Sequence, residues 1–205
     1  MIVSRTRRGA ASLPLPLGVD VVEITHLAMA ELEAGLDHIR QAPRDSGTLE
    51  MIVRRPSVGA REVLDVGELE TMHGLAGDTW SIRSSARTAN GSRHPDMQLN
   101  IMSARAVALI AQRRERWALA GDQLYVDFDL SEENLPPWTR LTVGAAIIEV
   151  TDQPHTGCAK FAERFGVDAA RFVNSPTGRA LRLRGVNARV VQPGTIRIGD
   201  CVRKS

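Results

Sequence analysis

The sequence predicts a mixed α+β domain that is rich in β-barrel structure, with a few inserted helices and a helical extension at its N-terminus. From Thr48 onward, short apolar or alternating runs recur and are broken by Gly, Pro, Asn and Asp, a pattern typical of many short strands. One or two helical patterns interrupt these runs, whereas a βαβ sheet needs a helix between successive strands. The 205 residues are 43% hydrophobic, which suits one large domain with a substantial core.

The first 47 residues are predicted to stand apart from the barrel. Asp20 with Glu23 resembles a helix-capping box, and the apolar positions that follow keep helical spacing as far as Ile39. The amphipathic helix predicted over residues 20–41 must bury its apolar stripe, either on the barrel or on a second copy of the chain. The predicted divisions are residues 1–19, a flexible tail; residues 20–47, the helix and a linker; and residues 48–205, the barrel domain.

Seven segments of the barrel domain are predicted to be strands. In one of them, Leu124, Val126 and Phe128 occupy alternate positions, which places them on one face of the strand. The clearest internal helix runs from Ser103, its cap, to Leu119, and Gly121 ends it. The predicted strand segments are residues 49–54, 98–102, 123–128, 140–150, 180–184, 186–191 and 195–203.

Cys158 is the first candidate for chemistry. It follows an apolar run, residues 143–150, and precedes a helix-like run, residues 159–165. The helix N-terminus, His155 and Lys160 all favour the thiolate, the form that attacks electrophiles, carries sulfur or binds metal. Two other interpretations stay open: a small buried hydrophobe, as most free cysteines are, or one half of a Cys–His hydrolase pair. His155 and Cys158 can also supply two ligands to a metal, but structural zinc needs three or four.

A glycine-punctuated turn and a basic C-terminal segment are further candidates. The turn, Gly74-Leu75-Ala76-Gly77-Asp78, lacks the patterns that cradle nucleotide phosphates. Between Arg179 and Ser205 there are seven basic residues and one acidic residue. Arg182 and Arg184 lie two positions apart, so on a strand they share a face. That face is either a solvated surface or an anion site beside Cys158.

Composition narrows the classes of partner. The net charge of +2 is too small to imply a polyanionic partner, and an aromatic content of 4% argues against base stacking on nucleic acid. No apolar run reaches the length of a membrane span, and two cysteines do not make a disulfide framework. We therefore expect a cytoplasmic protein with no nucleic-acid partner and no membrane partner.

The ordered set of motifs resembles the MOSC domain family, named for the C-terminal domain of molybdenum-cofactor sulfurase. The resemblance covers roughly residues 50–203, and the order of its pieces is more specific than any one of them. The matching pieces are Gly74-Leu75-Ala76-Gly77-Asp78, Gln98 to Ser103 with the helix that follows, Glu133-Asn134-Leu135, the strand over residues 141–149, Cys158, and Pro193 to Asp200.

The resemblance implies a compact barrel-rich fold and a cysteine, here Cys158, that carries sulfur as a persulfide or ligates molybdenum in a pterin cofactor. Members of the family are linked to sulfuration of the molybdenum cofactor, to pyridoxal-phosphate enzymes that supply sulfur, and to molybdenum-dependent reduction of N-hydroxylated compounds. The lead-in His155-Thr156-Gly157 differs from the Pro-Cys lead-in of the reductase branch. This difference shifts the expectation toward sulfur carriage or cofactor binding.

The site expected on this basis has Cys158 and His155 as catalytic residues, with molybdenum on Cys158 only if the cofactor is bound. The expected partners are a cysteine desulfurase or a molybdoenzyme, together with a second copy of the chain bound through helix 20–41. Two alternatives remain: a binding module whose cysteine is structural, and a molybdenum-dependent reductase. The residues expected to bind the cofactor are Lys160, Arg182, Arg184, Thr156, Asp78 and Asn134.

Overall fold

Seven strands close into a β-barrel in the computed structural model of the chain, which describes residues 25–85 and 88–205. A short strand extends the barrel sheet at one edge, and three more strands form a small separate sheet. In chain order the strands are β1 (Ser46–Arg54), β2 (Glu62–Leu64), β3 (Val66–Glu70), β4 (Gly74–Leu75), β5 (Leu99–Ser103), β6 (Leu124–Asp127), β7 (Arg140–Val143), β8 (Ala146–Val150), β9 (Val186–Gln192), β10 (Gly194–Arg197) and β11 (Cys201–Lys204).

The barrel is closed by the pairing of the last strand with the first. Around it the order is β1-β6-β5-β9-β8-β7-β11, and β11 pairs with β1. Strands β5 and β6 run parallel, while the other neighbours in the circle are antiparallel. A parallel pair needs a crossover connection, and the helical segment between β5 and β6 provides it. The predicted β-barrel-rich fold is confirmed.

The barrel interior is apolar because its strands alternate. Leu124, Val126 and Phe128 belong to the interior cluster, and all three are buried. Tyr125, between them in sequence, lies instead in a second apolar cluster with the helices. The predicted common face of the three alternate residues is confirmed.

Helices cover the outside of the barrel and share that second apolar cluster. None of the helices in the described ranges is both long and apolar enough to cross a membrane. They are α1 (Met29–Ala34), α2 (Leu36–Arg40), α3 (Ala104–Ala111), α4 (Ala159–Phe165), α5 (Val167–Asn174) and α6 (Pro176–Ala180), together with 3-10 turns at Thr79–Ile82, Pro95–Met97 and Arg114–Ala120.

The N-terminal extension packs on the helices of the same chain. Leu32 of α1 and Ile39 of α2 are buried in the helical cluster, and α1 contacts α5. The continuous helix predicted over residues 20–41 is wrong for its described part, because Gly35 separates α1 from α2 and the described residues before α1 are not helical. The predicted tail and the capping box at Asp20 lie outside the described residues.

Three predicted strands have a different structure. Residues 140–150 form a hairpin of β7 and β8, and residues 195–203 divide between β10 and β11, which lie in different sheets. Residues 180–184 are not a strand, since they form the end of α6 and the turn after it, in which Arg182 has a left-handed φ of 47°. Alternation of apolar and basic residues over five positions was therefore too short to distinguish a strand from a helix end.

The helix predicted from Ser103 to Leu119 is also shorter. Ser103 caps α3 by accepting a backbone hydrogen bond in the first turn, as predicted. However, Gln112 turns left-handed directly after α3, with a φ of 62°, and a 3-10 segment continues the chain. Gly121 ends that segment with a φ of 92°, which a residue with a side chain rarely adopts.

Candidate functional site

Cys158 lies directly before α4, at the end of the loop that leaves β8, and its side chain is exposed. The interpretation as a buried hydrophobe is therefore wrong. Gly157 is clamped by Asn174 at the end of α5: the Gly157 N–H donates to Oδ1, and Nδ2 donates to the Gly157 carbonyl, both at 3.0 Å. A Cβ built on Gly157 would lie 2.8 Å from Val173 Cγ2, so only glycine passes this close. The clamp thus fixes the backbone that carries the thiol.

The thiol opens onto a strongly basic cavity of about 290 Å³. Of the fifteen described residues that line it, six are cationic and none is acidic. Three of the cations converge on Gly121. Arg55 donates to the Gly121 carbonyl at 3.0 Å, and a Cβ built there would lie 3.4 Å from Arg61 Nη2 and 3.9 Å from Arg164 Nη1. The six cations are Arg55, Arg61, Arg83, Lys160, Arg164 and Arg184.

Four of these cations have no carboxylate partner among the residues that the structure describes. Within the part of the chain that the structure describes, Arg61, Arg83, Lys160 and Arg164 form no ion pair. Burial lowers the pKa of Arg61, and the positive charges of Arg164 and Arg55 lower it further. Like charges held together in this way create a positive potential that attracts an anion.

A buried carboxylate holds Arg55 in the wall of the cavity. Arg55 forms a bidentate ion pair with Asp78, with both nitrogen–oxygen distances at 2.8 Å, and the Asp78 side chain is fully buried. Burial acts to raise the pKa of Asp78, but the hydrogen bonds and charge of Arg55 outweigh it and hold this pKa below its ordinary value. Asp78 therefore stays ionised and fixes the Arg55 guanidinium.

Asp122 holds Arg184 in the same way. Arg184 Nη1 donates to both oxygens of Asp122, at 2.9 and 2.7 Å, and the guanidinium carbon lies 5.0 Å from the centre of the Phe161 ring. Complete burial raises the pKa of Asp122, while the charge of Arg184 opposes the rise. Asp122 Oδ1 also lies 3.5 Å from His155 Nδ1. One carboxylate thus joins the loop before Cys158 to the wall of the basic cavity.

The chain is similar in sequence to a known protein family. The sequence model of the MOSC domain matches residues 91–203, more than half of the chain. The chain belongs to the MOSC domain family. The MOSC family is linked to the molybdenum cofactor, and the matched region contains Cys158. No curated protein matches the sequence.

Solved structures resemble this MOSC chain in fold. The YuaD protein from Bacillus subtilis is 18% identical, with a TM-score of 0.54 over 77% of this chain and 94% of its own. A second structure, described as a hypothetical protein, is 23% identical, with a TM-score of 0.52 over 78% of this chain and 68% of its own. YiiM from Escherichia coli is 20% identical, with a TM-score of 0.49 over 77% of this chain and 69% of its own. The first two structures resemble this chain in fold over a longer part than the segment that the MOSC sequence model matches.

Three of the residues predicted for the MOSC site, Cys158, Lys160 and Arg184, line the basic cavity. Arg182 does not, and the segment that carries it is a helix end and a turn, not a strand. Its guanidinium donates to the Leu135 carbonyl at 2.6 Å. Arg182 lines a neighbouring cavity of about 330 Å³, together with His155, Thr156 and part of Arg184.

Two other residues predicted to bind the cofactor make contacts within the fold. Asp78 faces Arg55 and lines neither of these two cavities. Asn134 donates to the carbonyls of Arg44 and Asp129, at 3.0 and 2.8 Å, and accepts a hydrogen bond from Lys204 Nζ at 2.8 Å. Asn134 thereby ties its loop to the start of β1 and to the end of β11, and it also lies outside both cavities.

Sequence reasoning missed most of the cations of the MOSC cavity. Arg55 and Arg61 flank the loop between β1 and β2, far from Cys158 in sequence. Arg164 did carry a signal, since it lies four residues after Lys160 on α4 and residues so spaced share a helix face. Asp122 carried none, because an aspartate that follows a glycine is typical of an ordinary turn.

Proposed function

We propose that this MOSC-domain protein binds a phosphate-bearing pterin form of the molybdenum cofactor in the basic cavity, where the Cys158 thiol carries sulfur to the cofactor or ligates its metal. One observation carries the proposal: a single cavity is lined by an exposed thiol and by four cations that have no carboxylate partner among residues 25–85 and 88–205. Guanidinium groups are well suited to phosphate because their planar donors bind two oxygens at once.

The residues of the cavity fit such a group. The Nε atoms of Arg61 and Arg184 are buried and have no hydrogen-bond partner among the described residues. Buried donors in proteins are normally paired, so a bound anion would satisfy a need that the fold leaves open. The cavity, at about 290 Å³, is close to the lower end of ligand pockets. When bound, the cofactor supplies a molybdenum centre that exchanges electrons and sulfur or oxygen ligands.

Sulfur transfer to Cys158 needs a persulfide donor, for which a pyridoxal-phosphate-dependent cysteine desulfurase is the expected source. The Cys158 thiolate attacks the outer sulfur of the donor persulfide. A sulfur–sulfur bond forms at Cys158, the donor's sulfur–sulfur bond breaks, and the donor leaves as a thiolate, so the exchange involves no net oxidation. Lys160 lines the same cavity as the attacking sulfur.

Mass spectrometry tests the sulfur step. The protein is incubated with a cysteine desulfurase and L-cysteine, and the mass gain of one sulfur atom is mapped by peptide. We expect the gain on Cys158, its loss in Cys158→Ser, and its retention in the matched variant Cys201→Ser, since Cys201 is also exposed. Equal sulfur uptake by Cys158→Ser and wild type would reject this role.

Metal and pterin analysis tests the cofactor step. Protein from a host that makes the cofactor is assayed for molybdenum and for the fluorescent oxidation product of the pterin. We expect both in wild type and a large loss in Arg164→Gln, because one charge-assisted hydrogen bond is worth about 1.5–3 kcal/mol, roughly tenfold to a hundredfold in affinity. Arg171→Gln is the matched control, since its side chain is 71% exposed on α5. Folded wild type with neither molybdenum nor pterin would reject cofactor binding.

A further inference from the structure

The two most exposed large hydrophobic side chains of the described residues lie at the mouth of the basic cavity. Val58 is 95% exposed and Ile82 is 83% exposed, whereas the other exposed large hydrophobic residues range from 38% to 62%. Val58 lines the cavity together with Cys158, and Ile82 directly precedes Arg83, which also lines it. Single exposed apolar side chains are common on protein surfaces, but here the two that are most exposed occur beside one cavity.

Both side chains project from hydrogen-bonded turns. The Ala60 N–H donates to the Ser57 carbonyl at 3.2 Å and closes the turn that carries Val58. The Asp78 side chain caps the 3-10 segment Thr79–Ile82 by accepting a backbone hydrogen bond of 2.9 Å in its first turn. The fold therefore holds both apolar side chains out toward the solvent.

The two turns are also joined to each other. The Thr79 N–H donates to the Arg55 carbonyl at 3.0 Å, and the Arg55 guanidinium is paired with the buried Asp78 at 2.8 Å. Arg55 lies three residues before Val58, and Thr79 lies three residues before Ile82. One preorganised unit thus presents both apolar side chains, which lowers the entropic cost of binding a partner there.

The charge around these side chains indicates the chemistry of the partner. Arg83 and Lys160 are exposed, and with Arg61 and Arg164 they line the cavity without a carboxylate partner among the described residues. A protein that covers this mouth must bring carboxylates to the cations, since like charges placed opposite one another oppose association. The exposed apolar and cationic side chains form what we call the rim of the cavity: Val58, Ile82, Arg83 and Lys160.

We propose that the rim is the docking surface for the protein that delivers sulfur to Cys158, and that the matching face of this donor is acidic around an apolar recess. Thiol–persulfide exchange needs direct contact, because the outer sulfur passes from the donor cysteine to Cys158 and the donor leaves as a thiolate. A donor that reaches Cys158 through the mouth of the cavity must contact the rim. An anionic membrane matches the same charges, but it does not carry a persulfide, so we favour a protein. This inference rests on the proposed function, since it assigns the surface used in the sulfur step.

Rapid-quench kinetics of sulfur transfer to the full chain test the rim with two kinds of donor. The protein donors are the cysteine desulfurases of the source organism, each purified and loaded with a persulfide. The small donor is glutathione persulfide, which needs no docking surface. We expect at least one desulfurase to load Cys158 with a second-order rate constant that falls about tenfold between roughly 0.05 and 0.5 M NaCl, because salt screens the attraction between opposite charges.

Substitutions in the rim separate docking from thiol chemistry. Val58→Asp and Ile82→Asp are each expected to slow loading by the desulfurase about tenfold or more, because each removes an apolar contact and repels an acidic partner. Val58→Lys removes the same contact but attracts such a partner, so it should slow loading less than Val58→Asp. All three variants should accept sulfur from glutathione persulfide within about threefold of the wild-type rate. Met72→Asp is the matched control, since its side chain is 62% exposed and does not line this cavity.

The outcomes distinguish the docking surface from the function on which it rests. If glutathione persulfide loads Cys158, the sulfur role stands, and the docking surface is overturned by desulfurase loading that is insensitive to salt or unchanged in Ile82→Asp. Loading by glutathione persulfide and by no desulfurase would also overturn it. Failure of both kinds of donor would instead reject sulfur carriage, and the docking surface with it. Co-sedimentation of the wild type, but not of Val58→Asp, with phosphatidylglycerol vesicles would assign the rim to an anionic membrane and overturn its assignment to a protein.

Discussion

Replacing Arg184 by glutamine should destabilise the fold, and the loss should depend on pH in a defined direction. In the wild type Arg184 Nη1 contacts both oxygens of Asp122, whose side chain is completely buried. Breaking a buried ion pair by removing one partner costs roughly 3–5 kcal/mol, because the other charge remains without compensation. For a chain of this size, about 2–4 °C of melting temperature corresponds to 1 kcal/mol. We therefore expect Arg184→Gln to melt roughly 6–20 °C below the wild type at pH 8.

The pH dependence follows from Asp122. Burial already raises the pKa of this carboxyl in the folded protein, and removal of the Arg184 charge raises it further. A carboxyl whose pKa is higher in the folded state takes up its proton more readily there, so stability is gained as the pH falls and lost as it rises through that pKa. The deficit of Arg184→Gln relative to wild type should consequently shrink between pH 8 and pH 5.

Urea unfolding at pH 8, 6.5 and 5, analysed for wild type and variant, measures this deficit. The double variant Asp122→Asn/Arg184→Gln lacks the carboxyl, so its deficit should be smaller than that of Arg184→Gln at pH 8 and nearly independent of pH. Arg171→Gln is the control, since it breaks only a surface pair and should change stability by less than about 0.5 kcal/mol. A deficit of Arg184→Gln that is constant with pH, or a double variant no more stable than the single one, would refute the reasoning.

Three further predictions concern the thiol, its loop and the N-terminal helices. Cys158 should be alkylated faster than Cys201, more so with anionic iodoacetate than with neutral iodoacetamide, and Lys160→Ala should reduce the difference; timed labelling read by mass spectrometry checks this, and faster reaction of Cys201 contradicts it. Gly157→Ala should lower stability by about 1–3 kcal/mol, because the added Cβ meets Val173 at 2.8 Å; an unchanged melting temperature would show that the loop yields. Leu32→Ala should cost about 2–5 kcal/mol, since Leu32 is fully buried, and a loss below 1 kcal/mol would mean that α1 packs only loosely.

The local pattern of apolar and polar residues was sufficient to predict most barrel strands and the capped start of α3. Alternation over residues 123–128 predicted the inward face of β6 because one side of that strand meets the barrel interior. The same criterion failed over residues 180–184, where the chain forms a helix end and a turn instead of a strand. It also merged β7 with β8, since the hairpin turn between them, at Gly144, lies inside an otherwise continuous apolar run.

The candidate site was predictable only where its residues are close in sequence. Cys158 and Lys160 lie on one short segment, and their proximity follows from a helix start. Arg55, Arg61 and Arg164 meet at Gly121, which the pairing of β1 with β6 brings close to the β1–β2 loop. The sequence pattern does not predict that these arginines lie together, because each arginine by itself is typical of a solvated surface.

The two buried aspartates separate the cations of the basic cavity into two groups, those with a carboxylate partner and those without one. Asp78 and Asp122 neutralise Arg55 and Arg184 and fix their guanidinium groups. These two arginines therefore add little net charge, but their fixed N–H groups can orient a bound anion. Arg61, Lys160 and the other two cations that lack a carboxylate partner among the described residues supply the net charge. Long-range attraction of an anion to Cys158 should thus come from the unpaired cations and weaken with salt. The position in which the anion comes to rest should depend on the paired arginines, whose ion pairs are buried and only slightly screened.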